Sequence, residues 1–130
     1  MSLTLANVEA ALVGYLATQV AVPVSTRVPN PRPASFVRVQ RTGGAEQNLV
    51  QERPVVLVEC WAATDAAAWA LASTAWGALQ GRGDKTSGSV EFTPSTTGAL
   101  SSPVNYPDPS TSSARYQFTA ELIVNLKESA

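Results

Sequence analysis

The stretch Tyr116-Gln-Phe-Thr-Ala-Glu-Leu-Ile-Val-Asn-Leu126 decides how the rest of the chain is read. Its even positions, Tyr116, Phe118, Ala120, Leu122, Val124 and Leu126, are apolar. Its odd positions, Gln117, Thr119, Glu121 and Asn125, are polar, with Ile123 the exception. A period of two sends successive side chains to opposite faces, so the stretch predicts a long strand with one buried face. Such a strand needs neighbours to complete its ladder and a layer to cover its apolar side. The earlier segments must therefore build the sheet that this one closes.

Working backwards, Leu49 to Ala62 predicts a strand interrupted near Pro54, which puts its first half at an edge or beyond the sheet. Val55 to Trp61 is apolar on both faces and suits a central strand. Thr42 to Asn48 reads as a flexible hairpin connection after a strand at Phe36–Gln40. Val24–Val28 is a short strand candidate, and Pro29–Pro33 an extended turn. Ser89–Thr93 predicts another strand, followed by a long Ser/Thr/Pro/Gly-rich connection over 94–114.

Two helical patterns flank these strands. Thr4 to Val20 places Leu5, Val8, Leu12, Tyr15 and Leu16 on one face, with Thr4 or Asn7 as cap and Pro23 as stop. Ala66 to Leu79, capped by Thr64 or Asp65, carries a stripe of Trp69, Ala72, Trp76 and Leu79 and ends at Gly81 and Gly83. The tail from Lys127 is expected to fray. The resulting expectation is an α+β fold, a mostly antiparallel sheet of four to five strands with two helices packed on one face, in a single domain spanning 1–130.

Composition narrows the function. Nine basic and ten acidic residues give a net charge of -1 with no basic stripe, so specific nucleic-acid binding is not expected. No apolar run is long enough to span a membrane, and no basic-then-apolar leader opens the chain, so neither a transmembrane helix nor a signal peptide is expected. The single Cys60 lies in the apolar run Val55–Trp61 and reads as a small buried hydrophobe, consistent with a reducing cytoplasm.

The chain has no histidine, which removes the commonest general base and metal ligand. Catalytic residues, a metal site and a cofactor are accordingly not expected. Glu46, Glu52, Asp65, Asp84, Glu91 and Asp108 show no motif that pairs them, and Glu59 and Glu121 read as members of cross-strand pairs or as outward-facing groups. Arg82-Gly83-Asp84 matches the tripeptide that integrins bind, but a solvated turn explains it as well. Gly81 to Gly88 lacks the spacing of a phosphate-binding loop and follows a helix rather than a strand. Trp61, Trp69 and Trp76 read as core or subunit-contact residues rather than a ligand platform.

The arrangement resembles a known family. An N-terminal helix precedes a Pro-marked segment and Phe36-Val-Arg-Val-Gln-Arg-Thr-Gly-Gly44. Arg53-Pro-Val-Val-Leu-Val-Glu-Cys-Trp-Ala62 follows, then a second helix from Thr64-Asp-Ala-Ala-Ala-Trp69. Asn105-Tyr-Pro-Asp-Pro109 leads into Ala114-Arg-Tyr-Gln-Phe-Thr-Ala-Glu-Leu122. Over most of its length this is similar to tail terminator proteins of long-tailed, siphovirus-type actinobacterial phages.

The resemblance implies a structural virion protein, made in the host cytoplasm and placed at the head-proximal end of the tail. There a hexameric ring caps the tube of major tail protein, ends its polymerisation and docks the neck or head-completion protein. The family carries no catalytic residues to transfer. A neck or head-closure connector is the nearest rival reading. A small ligand-binding or hydrolase-like α+β domain and an adhesion module using Arg82–Asp84 are rivals from other classes. Expected subunit contacts are Glu46, Gln47, Asn48, Arg53, Tyr106 and Asp108, chosen because they lie on or beside the long connections 42–53 and 94–114.

Overall fold

The computed structural model describes residues 2–80, 85–94 and 101–129. Its elements in chain order are β1 (Ser2–Thr4), α1 (Val8–Ala17), β2 (Val24–Ser25), β3 (Phe36–Asn48), β4 (Gln51–Ala62) and α2 (Asp65–Gln80), then β5 (Lys85–Ser87), β6 (Val90–Pro94), β7 (Val104–Asn105), β8 (Ala114–Asn125) and β9 (Lys127–Ser129). The architecture is α+β. A seven-stranded sheet runs β2-β3-β4-β8-β6-β5, with β7 added to β8, so the strand count exceeds the expected four to five. Among the described residues, only the β2–β3 pairing is parallel within this sheet. The expected strand at Val24–Val28 is present as the shorter β2, and the two added strands, β5 and β7, are pieces whose two or three residues leave no periodic pattern to read.

The alternation in β8 behaves as expected. Phe118, Ala120, Leu122 and Val124 are buried. They lie against the helices together with Val56, Val58 and Cys60 of β4. A one-residue slip would turn Phe118, Leu122 and Val124 outward at about 1.5–3 kcal/mol each, comparable to a domain's whole stability of about 5–15 kcal/mol. That sum pins the register of β4 against β8, in which Val56 faces Ala120 and Val58 faces Phe118.

Helix α1 contributes Val8, Ala11, Leu12 and Leu16 to the core, and Asn7 caps it by accepting from the Ala10 N–H at 3.1 Å. It starts later and ends earlier than the expected Thr4–Val20. Leu5, assigned to its buried face by periodicity, precedes the helix and is 61% exposed. Helix α2 buries Ala68, Ala72, Ala75 and Leu79. Thr64 caps it, its hydroxyl accepting from the Ala67 N–H at 3.2 Å. The expected stripe through Trp69 and Trp76 is displaced by one position, because alanines let the helix lie close over β4 and β8 and the indoles go to its flank. Trp69 packs edge-on against Tyr116, and Trp76 Nε1 donates to the Ser101 carbonyl at 2.9 Å. The two helices are joined where the Tyr15 hydroxyl donates to the Ala78 carbonyl at 3.0 Å.

Three further expectations change. Residues 42–48 are the distal half of β3 rather than a flexible connection, paired with β4 through two bulges at Thr42 and Gln47. Pro54 is buried between β3 and β8 rather than at an edge; the β4–β8 ladder lapses at Arg53 and Pro54 and resumes in the same register, since proline has no N–H to give. The C-terminal tail, expected to fray, pairs as β9 with β1 in a separate two-stranded ribbon. Arg82-Gly83-Asp84, and Gly81 and Gly83 as helix stops, lie outside the described residues.

Candidate self-association surface

The end of the sheet at the β3–β4 turn is held by four hydrogen bonds, two within the turn and two to the end of β8. Asn48 Oδ1 accepts from the Val50 N–H at 2.9 Å, and Asn48 Nδ2 donates to Gln51 Oε1 at 2.8 Å. Gln51 Nε2 then donates to Asn125 Oδ1 at 3.1 Å, and the Leu126 N–H reaches the Val50 carbonyl at 2.9 Å. The turn is thus fixed to β4 and β8 while its two apolar residues point outward, Leu49 at 83% exposure and Val50 at 59%.

Beneath the turn lies a groove of about 500 Å³ lined by Leu3, Leu5, Gly43, Ala45 and Leu126, among others. Its floor holds Arg41 and Glu52. Arg41 Nη2 donates to Glu52 Oε1 at 3.0 Å, Nη1 pairs with Oε2, and the Arg41 N–H donates to Glu9 Oε2 at 2.8 Å. Glu46 sits directly across the ladder from Glu52. Arg41 neutralises the inner carboxylate of this pair, so the groove holds a committed ion pair rather than two carboxylates poised for acid and base roles. Among the described residues no group of three or more His, Cys, Asp or Glu side chains is placed to hold a metal ion.

The outer side of β3 is open. Strand β2 pairs only with Val37 and Arg38, and no other strand among the described residues lies beside β3 on that side. Between the bulges, Gly43 to Glu46 form a short regular stretch of free edge. A Cβ at Gly43 would meet nothing within 4 Å, so the sheet face is open at this position.

The six expected contact residues divide. Glu46, Gln47 and Asn48 come together on the distal edge of β3, all exposed. Arg53 is on the opposite face of the same hairpin and pairs with Glu121 at 3.7 Å. Tyr106 and Asp108 lie beside the other end of β8, ten residues or roughly 33 Å along the strand.

Asp108 is tied into the protein. Its carboxylate accepts from the Ser110 hydroxyl at 2.7 Å and N–H at 2.9 Å, receives Trp61 Nε1 at 3.4 Å and pairs with Arg32 at 3.5 Å. These hydrogen bonds, led by the Ser110 hydroxyl, hold its pKa down at about 2. Tyr106 is half-exposed under the Arg115 guanidinium, 5.0 Å from the ring centre. The residues that sequence reasoning missed are Leu3, Leu5, Leu49 and Val50. The signal was present in Leu49-Val50, two large apolar residues where turns usually place Gly, Asn, Asp or Ser.

The face of the sheet away from the helices carries an Arg–Glu–Arg cluster. Glu59, buried, receives Arg115 Nη1 at 3.1 Å and faces Arg38 Nε at 3.4 Å. The second contact is an ion pair without hydrogen-bond geometry, and Arg38 Nε and Glu59 Oε1 have no hydrogen-bond partner among the described residues. Comparison with known proteins matches no family model and finds no curated protein of significant similarity.

Proposed function

We propose that the protein is a ring-forming structural component of a phage tail, a tail terminator whose hexamer caps the tail tube and receives the neck or head-completion protein. The observation that carries this reading is the pairing of an open β3 edge with a rigid apolar turn at one end of the sheet. An unpaired edge invites strand addition, and exposed apolar clusters mark protein contacts. Head-to-tail contacts of this kind close into rings when their rotation permits. The resemblance over most of the chain supports the same reading, as does the commitment of the groove's Arg41 and Glu52 to each other.

The test is to mix the purified protein with polymerising tail-tube protein and image the products. Six-fold rings at one end of tubes, with growth halted there, are the expected result. A protein that stays monomeric at every concentration and leaves tube growth unaltered overturns the reading. Rings that bind neck protein while ignoring tube ends would assign it instead to the connector.

A further inference from the structure

We propose that the Leu49–Val50 turn of one copy seats in the groove between the N-terminal arm and the hairpin base of a second copy. This rests on the self-association reading above and names its contact. The turn is a preformed projection, because Asn48 and Gln51 fix its backbone and side-chain hydrogen bonds before any partner arrives. Little ordering entropy then remains to be lost on docking. The groove is a recess of matching chemistry. Leu3 and Leu5 of the arm, 41% and 61% exposed, and Leu126 form one wall, and the glycine-rich start of the distal β3 forms the other.

The two features cannot satisfy each other within one chain. Gly43 to Glu46 and Gln51 line the groove, and the turn is the rigid end of that same hairpin. A second copy supplies both partners at once. Charge selects the same occupant. Glu46 lines the groove, and Lys127 follows Leu126, whose N–H is bonded to the turn at Val50. Neither Glu46 nor Lys127 has an ion-pair partner among the described residues. When the turn of one copy enters the groove of another, its Lys127 is carried towards the receiving copy's Glu46, and opposite charges at such a rim set register and steer association.

The test mixes two single-cysteine-substituted chains, L49C and L5C, under mild oxidation; the native Cys60 is buried. The cross-linked product joining L49C to L5C should exceed either self-linked product. A second arm measures association of charge variants. E46K and K127E should each weaken it about ten-fold, and E46K/K127E should recover it. Cross-links in statistical proportion, or an L49D/V50D variant that associates like the parent, overturn the contact. If that variant still forms rings on tube ends, the tail-terminator reading stands while this contact falls. If the unaltered protein forms no assembly with itself or with tubes, both fall.

Discussion

Arg41 holds the carboxylate of Glu52 with both terminal guanidinium nitrogens, one ladder step from the bulge that turns β3 towards the groove. Its backbone N–H is meanwhile taken by Glu9 of α1. One residue therefore ties the first helix to the base of the hairpin. Arg41→Ala leaves Glu52 largely buried, unpaired and opposite Glu46. The expected cost is roughly 2 to 4 kcal/mol, somewhat below the about 3–5 kcal/mol for breaking a fully buried ion pair because Arg41 is partly exposed. The double variant R41A/E52A should lose less than R41A alone, because no uncompensated carboxylate remains. Urea denaturation of both, at matched slope, checks this.

On the face of the sheet away from the helices, Arg115 and Arg38 share Glu59 unequally. Arg115 makes a 3.1 Å hydrogen bond to it, donates Nε to the Tyr106 carbonyl at 2.8 Å and stacks on Trp61. Arg38 offers Glu59 a 3.4 Å ion pair that lacks hydrogen-bond geometry, and its Nη2 is given to Gln40 at 2.6 Å. Arg115→Ala should therefore destabilise more than Arg38→Ala, by about 1 kcal/mol or more, reflecting one charged hydrogen bond and the lost stacking. Equal losses in chemical denaturation would contradict the unequal sharing.

Gly43 and Gly44 are adjacent but not equivalent. Gly44 has φ +143, and a Cβ there would lie 2.7 Å from Pro54 Cα and 2.8 Å from the Arg53 carbonyl oxygen. Both obstacles are backbone, so Gly44→Ala should cost about 1–3 kcal/mol or more in strain. Gly43→Ala meets open space and should stay within about 0.5 kcal/mol. Thermal melts of the two variants separate these outcomes.

Asp108 makes stability sensitive to acid. Its pKa is lowered from 3.8 to about 2 by the Ser110 hydrogen bonds first, with Trp61 and Arg115 adding to the effect. A depressed carboxylate contributes stability that is complete above its unfolded value and is lost as pH falls through its folded one. The Tm difference between the parent and Asp108→Asn should therefore be constant above about pH 5 and shrink between about pH 4 and pH 2. A difference that does not change over that window would sink the assignment.

Cys60 should resist thiol reagents. Burial, reinforced by the neighbouring Glu59 carboxylate, pushes its pKa up to about 12, and only the thiolate reacts. At pH 8 the folded protein should take up no label while the urea-unfolded chain takes up one equivalent. Rapid labelling of the folded form would show that β4 opens readily.

Much of the fold was legible because it rests on long periodic segments. The alternation through Phe118, Ala120, Leu122 and Val124 specified a strand and its buried face, and the α2 boundaries shifted by only a residue at each end. Other features were not legible. Gly43 and Gly44 read as a flexible connection because glycine weakens strand propensity, yet pairing with β4 across a bulge draws them into β3. Leu5 fitted the helical period, but Asn7 offers a better cap than Thr4 and starts the helix after it. Of the six proposed contacts, Glu46, Gln47 and Asn48 converge because a hairpin is local. The ties of Asp108 to Trp61 and Arg32 were unreadable, since those partners are 47 and 76 residues away.

By itself the order of residues determined the α+β class, the central strands and the absence of histidine, because side-chain periodicity and residue type act locally. Which edge stays open, where Leu3, Leu5 and Leu126 gather and which carboxylates are neutralised were decided only by tertiary structure. Those properties depend on pairing between distant segments, and the free energy of such pairing is set by burial and charge that exist only once the sheet has closed.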